Sequence, residues 1–148
     1  MFVNRAGTMV MPFMTLYLTT ALGYTIGKAG WVMACFGCGA VCGGWLGGKL
    51  TDKFGFYFIQ LFALIGGGLM FFVIGQLTEF SNICIASFVL ASVNEAFRPA
   101  NSSAITHYST VENRTRSFAL NRLAINVGWA FGGALGGLIA SKNYHLLF

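Results

Sequence analysis

The sequence predicts an all-α membrane protein, a polytopic helix bundle of five spans with the start of a sixth. Three observations lead there. Of 148 residues, 56% are hydrophobic and only 9% are charged, whereas a soluble domain is usually about 25% charged. Too few polar residues remain to coat a soluble fold, so a bilayer has to act as solvent for the apolar surface. Runs of 19 to 25 residues without a charge separate Arg5 from Lys28, Lys28 from Lys49, Lys53 from Glu79 and Arg122 from Lys142. Crossing a bilayer takes about 20. High glycine and low proline, 20 against 2, suit helices that pack closely in lipid.

The expected spans are 1–20, 29–50, 56–77, 81–109 and 116–140, and Tyr144 to Phe148 begins a sixth. A cleavable signal peptide would also place an apolar run after a basic residue. Here the charge-free stretch after Arg5 continues to Gly27, so a span is the better reading. The fourth span is interrupted by Glu95, Arg98 and Pro99, but its flanks are apolar or small. Charges inside such a segment point to function. Residues 1–148 form one helical unit with no soluble domain beside it.

Orientation follows from loop lysines and arginines. Lys49, Lys53, Arg114 and Arg116 fall on one side, and Lys28 and Lys142 on the other. The positive-inside rule makes loops 49–55 and 110–116 cytoplasmic, in a multi-pass protein of the plasma (inner) membrane. The net charge of +5 is then topology. The clustered basic groove that nucleic acid requires is missing, and the expected partner is the lipid bilayer.

Cys35, Cys38 and Cys42 share a face of the second span. A metal or iron–sulfur centre wants four soft ligands. The remaining Cys84 is expected on another helix, near the opposite side. Cysteine also packs as a small hydrophobe, so no metal and no cofactor are expected.

Glycines recur at four-residue spacing. Gly39, Gly43 and Gly47, with Gly44 and Gly48 beside them, lie on the second span. Gly128, Gly132 and Gly136, with Gly133 and Gly137, lie on the fifth. Such ridges allow close backbone contact, and they would let helices slide. The loop after the second span is no phosphate-binding P-loop, because Leu50 follows Gly48 and Lys49 where a hydroxyl belongs. Gly55 suits a tight turn, and Asp52 is placed to cap the helix that follows.

Gly48, Asp52, Lys53 and Gly55 match the cytoplasmic loop motif of the major facilitator superfamily, Gly-x3-Asp-Arg/Lys-x-Gly-Arg/Lys-Arg/Lys, between the second and third helices. Phe56 and Tyr57 stand where the motif has two basic residues. The five glycines from Gly128 to Gly137 resemble the antiporter motif of its drug–proton exchangers, Gly-x3-Gly-Pro-x2-Gly-Gly, with Gly133 in the proline position. The stretch Arg98-Pro99-Ala100-Asn101 is similar to one in peptide–proton symporters, although Asn4, beside Arg5, replaces an acidic residue of that branch.

The resemblance implies helices 1 to 5 of a twelve-helix transporter, a partial N-terminal half whose C-terminal half is a further partner. It implies no enzyme, and it assigns cytoplasmic gating to Asp52 and Lys53. The chain is then a fragment or a truncated gene product that does not transport by itself.

Intramembrane polarity supplies the candidate site. A charge near the bilayer centre costs at least about 2.5 kcal/mol and faces a cavity or a partner. Glu95 and Arg98, three residues apart, share a helix face. Glu95, Arg98, Arg122, Arg5, Asn94, Asn101, Asn126 and Tyr17 are therefore expected around a central cavity for protons and a small-molecule substrate. Glu95, the one acidic residue within a span, is the proposed proton carrier; a fixed ion pair that orients helices is the competing role. The leading function is proton-coupled alternating access, as multidrug or metabolite efflux. A peptide or nutrient symporter and a non-transporting membrane assembly subunit are the alternatives.

Overall fold

The computed structural model describes residues 1–7 and 10–140, all of whose regular structure is helical. The expected start of a sixth span, Tyr144 to Phe148, lies outside them. The described residues of the first segment fall in α1 (Phe2–Gly7), α2 (Val10–Leu16) and a π-helical turn, Tyr17–Ala21. Four long helices follow, α3 (Ile26–Phe54), α4 (Phe56–Gln76), α5 (Phe80–Tyr108) and α6 (Arg114–Ala140). These four are long and apolar enough to cross a membrane. The 29 residues of α3 give about 44 Å at 1.5 Å per residue, more than the roughly 30 Å hydrocarbon layer. α3 and α6 therefore outrun their predicted spans by a few residues, whereas α4 and α5 match theirs to within one.

Local chemistry sets the turns. Thr25 caps α3 by accepting from the Lys28 amide. Gly55 joins α3 to α4 at φ 83°, a conformation a Cβ would strain. Asp52 does not cap α4, contrary to the sequence expectation. It lies in the last turn of α3, and Gly55 occupies the cap position. An acidic group there opposes the negative end of the helix dipole.

Burial is inside-out for a soluble protein. Trp31, Phe58, Phe62 and Leu69 are more than 60% exposed. The core is small and lies at the end where α3 and α5 begin, with Met14, Tyr17, Leu18, Val32, Ile74, Ile83 and Leu90. A second cluster, Ile59, Ala96 and Ala100, packs with Phe56 towards the other end.

The principal pairing is α3 on α5, running parallel. Gly39 lies against Phe88, Gly43 against Ser92 and Gly47 against Ala96, advancing four residues on both helices at each step. A Cβ on Gly47 would lie 2.5 Å from the Ala96 Cα, and one on Gly43 2.5 Å from the Ser92 Cα. Ser92 Oγ crosses the seam to donate to the Gly39 carbonyl at 3.0 Å. The Cys84 thiol is not near the opposite side, as the sequence suggested. It lies beside Cys35, one step along the same ladder, because the two helices run parallel. Cysteine serves there as one more small residue.

α5 is the central helix. A second face meets α4, where Gly67 leaves room for Asn94 and Gln60 Nε2 donates to the Ala100 carbonyl at 3.3 Å. α6 packs mainly on α1 and α2, and touches α5 only lightly.

Candidate functional site

The third face of α5 carries Glu95, Arg98, Asn101 and Ser102. Proline at position 99 has no N–H for the Glu95 carbonyl one turn earlier, yet α5 continues through it. The Glu95 carboxylate is bound on both oxygens. Arg5 Nη1 on α1 donates to Oε1 at 3.2 Å, and Arg98 Nη1 donates to Oε2 at 3.1 Å. The Arg5 and Glu95 side chains are 9% and 15% exposed, whereas Arg98 is 65% exposed. One anion thus ties α1 to α5, and the outer arginine remains open. Burying a charge is tolerable only when it is paired and hydrogen-bonded, and the two guanidinium groups meet that condition for Glu95.

Arg98 stands between two clefts. One, of about 500 Å³, opens between α5 and α6 and is lined by Arg98, Asn101, Ser102, Thr115, Phe118, Asn121, Arg122 and Ile125, among others. The other, of about 600 Å³, is bounded by Glu95, Arg98 and the Ala40, Val41, Gly44 and Trp45 face of α3. Asn101 Nδ2 donates to Asn121 Oδ1 at 3.1 Å and bridges α5 to α6.

Of the predicted cavity residues, Arg5, Glu95 and Arg98 form one cluster, and Arg98, Asn101 and Arg122 line one cleft. Asn126 lies one turn beyond Arg122 on α6, exposed on the same side. Asn94 lies on the α4 side, buried against Gly67, with no hydrogen-bond partner for Nδ2 among the described residues. Tyr17 is in the apolar core. Asn121, Thr115 and Phe118 were missed. Asn121, a polar residue beside Arg122 in an apolar run, was the available signal. Among the described residues, no group of three or more His, Cys, Asp or Glu could hold a metal ion.

The sequence profile of the Major Facilitator Superfamily matches residues 1–148. The chain belongs to this superfamily. An uncharacterized MFS-type transporter of Bacillus subtilis, YqjV, is 30% identical over 139 residues, covering 91% of this chain and 33% of the relative. The class H tetracycline resistance protein of Pasteurella multocida is 31% identical over 101 residues, 68% of this chain and 25% of its own length. A homolog of the multidrug efflux pump PmrA in Lactococcus lactis is 25% identical over 134 residues, 88% and 33% respectively. The chain spans about a third of the length of most of these curated relatives. Members of the superfamily are multi-pass membrane transporters rather than enzymes, and the four apolar helices agree with that architecture.

Superfamily membership gives the two glycine-containing motifs a setting. Gly48 is half-buried and Asp52 and Lys53 are exposed at the α3 end of the α3–α4 joint, and Gly55 forms the joint itself. Lys53 Nζ lies 5.3 Å from the Phe54 ring centroid, and Asp52 has no ion-pair partner among the described residues. On α6, Gly128, Gly132 and Gly136 are buried. A Cβ on Gly136 would lie 2.6 Å from the Phe13 ring. A Cβ on Gly137 would lie 3.9 Å from that ring, and one on Gly133 would meet nothing.

Proposed function

We propose that the chain is the N-terminal part of a proton-coupled major facilitator carrier of the plasma (inner) membrane. It exports a small solute, drug or metabolite, by alternating access around a midplane site. Residues 1–20 supply its first span, a C-terminal half completes the cavity, and loops 49–55 and 110–116 face the cytoplasm. The observation that carries this reading is the Glu95 carboxylate held between Arg5 and Arg98. The tetracycline-resistance and multidrug-efflux relatives support efflux.

Glu95 is the proton carrier in this scheme. A carboxylate accepts from both arginines, and protonation removes the charge that holds them. Loss of the Arg5 pair loosens α1 from α5, so one proton biases the arrangement of two elements. The α3–α5 ladder stays closed as a rigid unit. Asp52 and Lys53 latch the cytoplasmic side against the other half, which accounts for a carboxylate placed against its own helix dipole. The Gly128–Gly137 ridge lets α6 shift against the first span.

The test uses the full-length protein in proteoliposomes. With Glu95→Gln, movement driven by a pH gradient is lost while solute exchange without a gradient persists. Unchanged gradient-driven transport by this variant would remove Glu95 as the carrier. A symport reading draws on the Arg98–Asn101 stretch and predicts the opposite direction of solute movement in the same assay. A non-transporting assembly subunit predicts no solute movement in either arm.

A further inference from the structure

Charge around the α5–α6 cleft is unbalanced. Arg98 and Arg122 line it, and no acidic residue does. The nearby Glu95 already has both oxygens bound by Arg5 and Arg98. Arg122 lies within a membrane-spanning helix, where a charge costs free energy unless it is matched, and it has no ion pair or hydrogen bond among the described residues. The Arg98 guanidinium has five N–H donors, and its bond to Glu95 employs one. Between the two cations the Asn101–Asn121 pair supplies neutral hydrogen-bonding groups. Phe118 and Ile125 supply an apolar wall. The volume, about 500 Å³, falls in the range of small-molecule sites.

We infer that this cleft binds an amphipathic organic anion, with its carboxylate or phosphate between Arg98 and Arg122 and its apolar body against Phe118 and Ile125. The inference rests on the transport reading for its purpose, since it names the class of solute that the carrier moves. A drug cation meets two like charges here and finds its natural counter-ion, Glu95, already occupied. An anion meets the remaining donors of Arg98 and the Arg122 guanidinium, groups of the kind that recognise carboxylate and phosphate in bidentate fashion. Arg98 is then shared between Glu95 and the solute, which links occupancy of the cleft to the cluster that holds α1.

Binding to the purified full-length protein is measured with three probes: salicylate, phenyl phosphate and tetraphenylphosphonium. They share an aromatic body and differ in head-group charge. At least one anion is expected to bind saturably and more tightly than the cation, and the two anions separate carboxylate from phosphate recognition. Arg122→Gln and Arg98→Gln should each weaken the anion by about tenfold or more, the scale of a charged hydrogen bond. Arg122→Lys should retain part of the affinity. Anion affinity of the unmodified protein should fall as sodium chloride rises, a readout that depends on no variant folding.

Tighter binding of tetraphenylphosphonium than of either anion would overturn the inference, as would anion affinity unaffected by salt and by both glutamine substitutions. Gradient-driven movement of the cation without anion binding would leave the transport reading standing and remove the anion site. Anion binding without gradient-driven movement of any of the three probes would do the reverse.

Discussion

The two sides of α5 solve different problems. Towards α3, Gly39, Gly43 and Gly47 bring the backbones so close that no side chain fits between them. Towards α6, the contact is light and a polar cleft remains, with Arg98, Arg122, Asn101 and Asn121 around it. In lipid there is no hydrophobic force to press helices together, so the tight side relies on van der Waals contact and small residues. The loose side holds charges, which resist close packing because they need partners or space. In the proposed carrier, the first seam stays shut and the second is the one that opens.

Substitutions on the two sides break or sharpen that contrast. The largest effect is expected from Gly43→Leu, whose side chain would meet the Ser92 backbone. Backbone cannot yield as a side-chain tip can, so the cost should be about 3 kcal/mol or more, read as loss of the folded state in a denaturant titration. At Gly44, one position away, an added Cβ meets nothing within 4 Å, so Gly44→Leu should change stability by about 0.5 kcal/mol or less. Equal effects at the two glycines would mean the ladder is not the seam described here.

Arg5→Ala removes one of the two partners of Glu95. Breaking a buried pair outright costs 3–5 kcal/mol, and because Arg98 still holds the other oxygen about 2 kcal/mol is expected. Comparing Arg5→Ala, Glu95→Gln and the double variant isolates the pair, and a coupling near zero would dissolve the proposed tie between α1 and α5. Asn121→Ala loses the single hydrogen bond to Asn101 and should cost about 1 kcal/mol in thermal unfolding. Smallest is Arg122→Gln, which removes no ion pair or hydrogen bond among the described residues and should move stability by about 0.5 kcal/mol or less. Its effect belongs to binding.

Much of the architecture was legible. The charge-free runs placed α3, α4 and α6, the apolar flanks of Glu95 and Arg98 placed α5, and the structure extends α3 where polar residues such as Thr51–Lys53 continue the helix. In the first segment the π-helical turn Tyr17–Ala21 was not legible, because hydropathy does not distinguish it from a regular helix. The site was legible in part. Glu95 and Arg98 stood out because a charge in an apolar run is conspicuous, and their spacing of three placed them together. Asn121 was hidden, because a single amide gives little signal until its partner on another helix is known. Cys84 was misplaced because its position relative to Cys35 depends on the relative direction of α3 and α5.

By itself, the sequence determined that this chain lives in a bilayer, how its loops distribute charge, and which residues are costly to bury. Those are local or summed properties, set by residue type and by spacing along one helix. Tertiary structure alone decided which element each glycine ridge packs on, that Asn94 turns to α4 while Glu95 turns to Arg5, and that Arg98 and Arg122 share a cleft. These depend on how helices rotate about their own axes when they pack. A periodicity of 3.6 residues defines faces, and only the neighbours determine which face meets which.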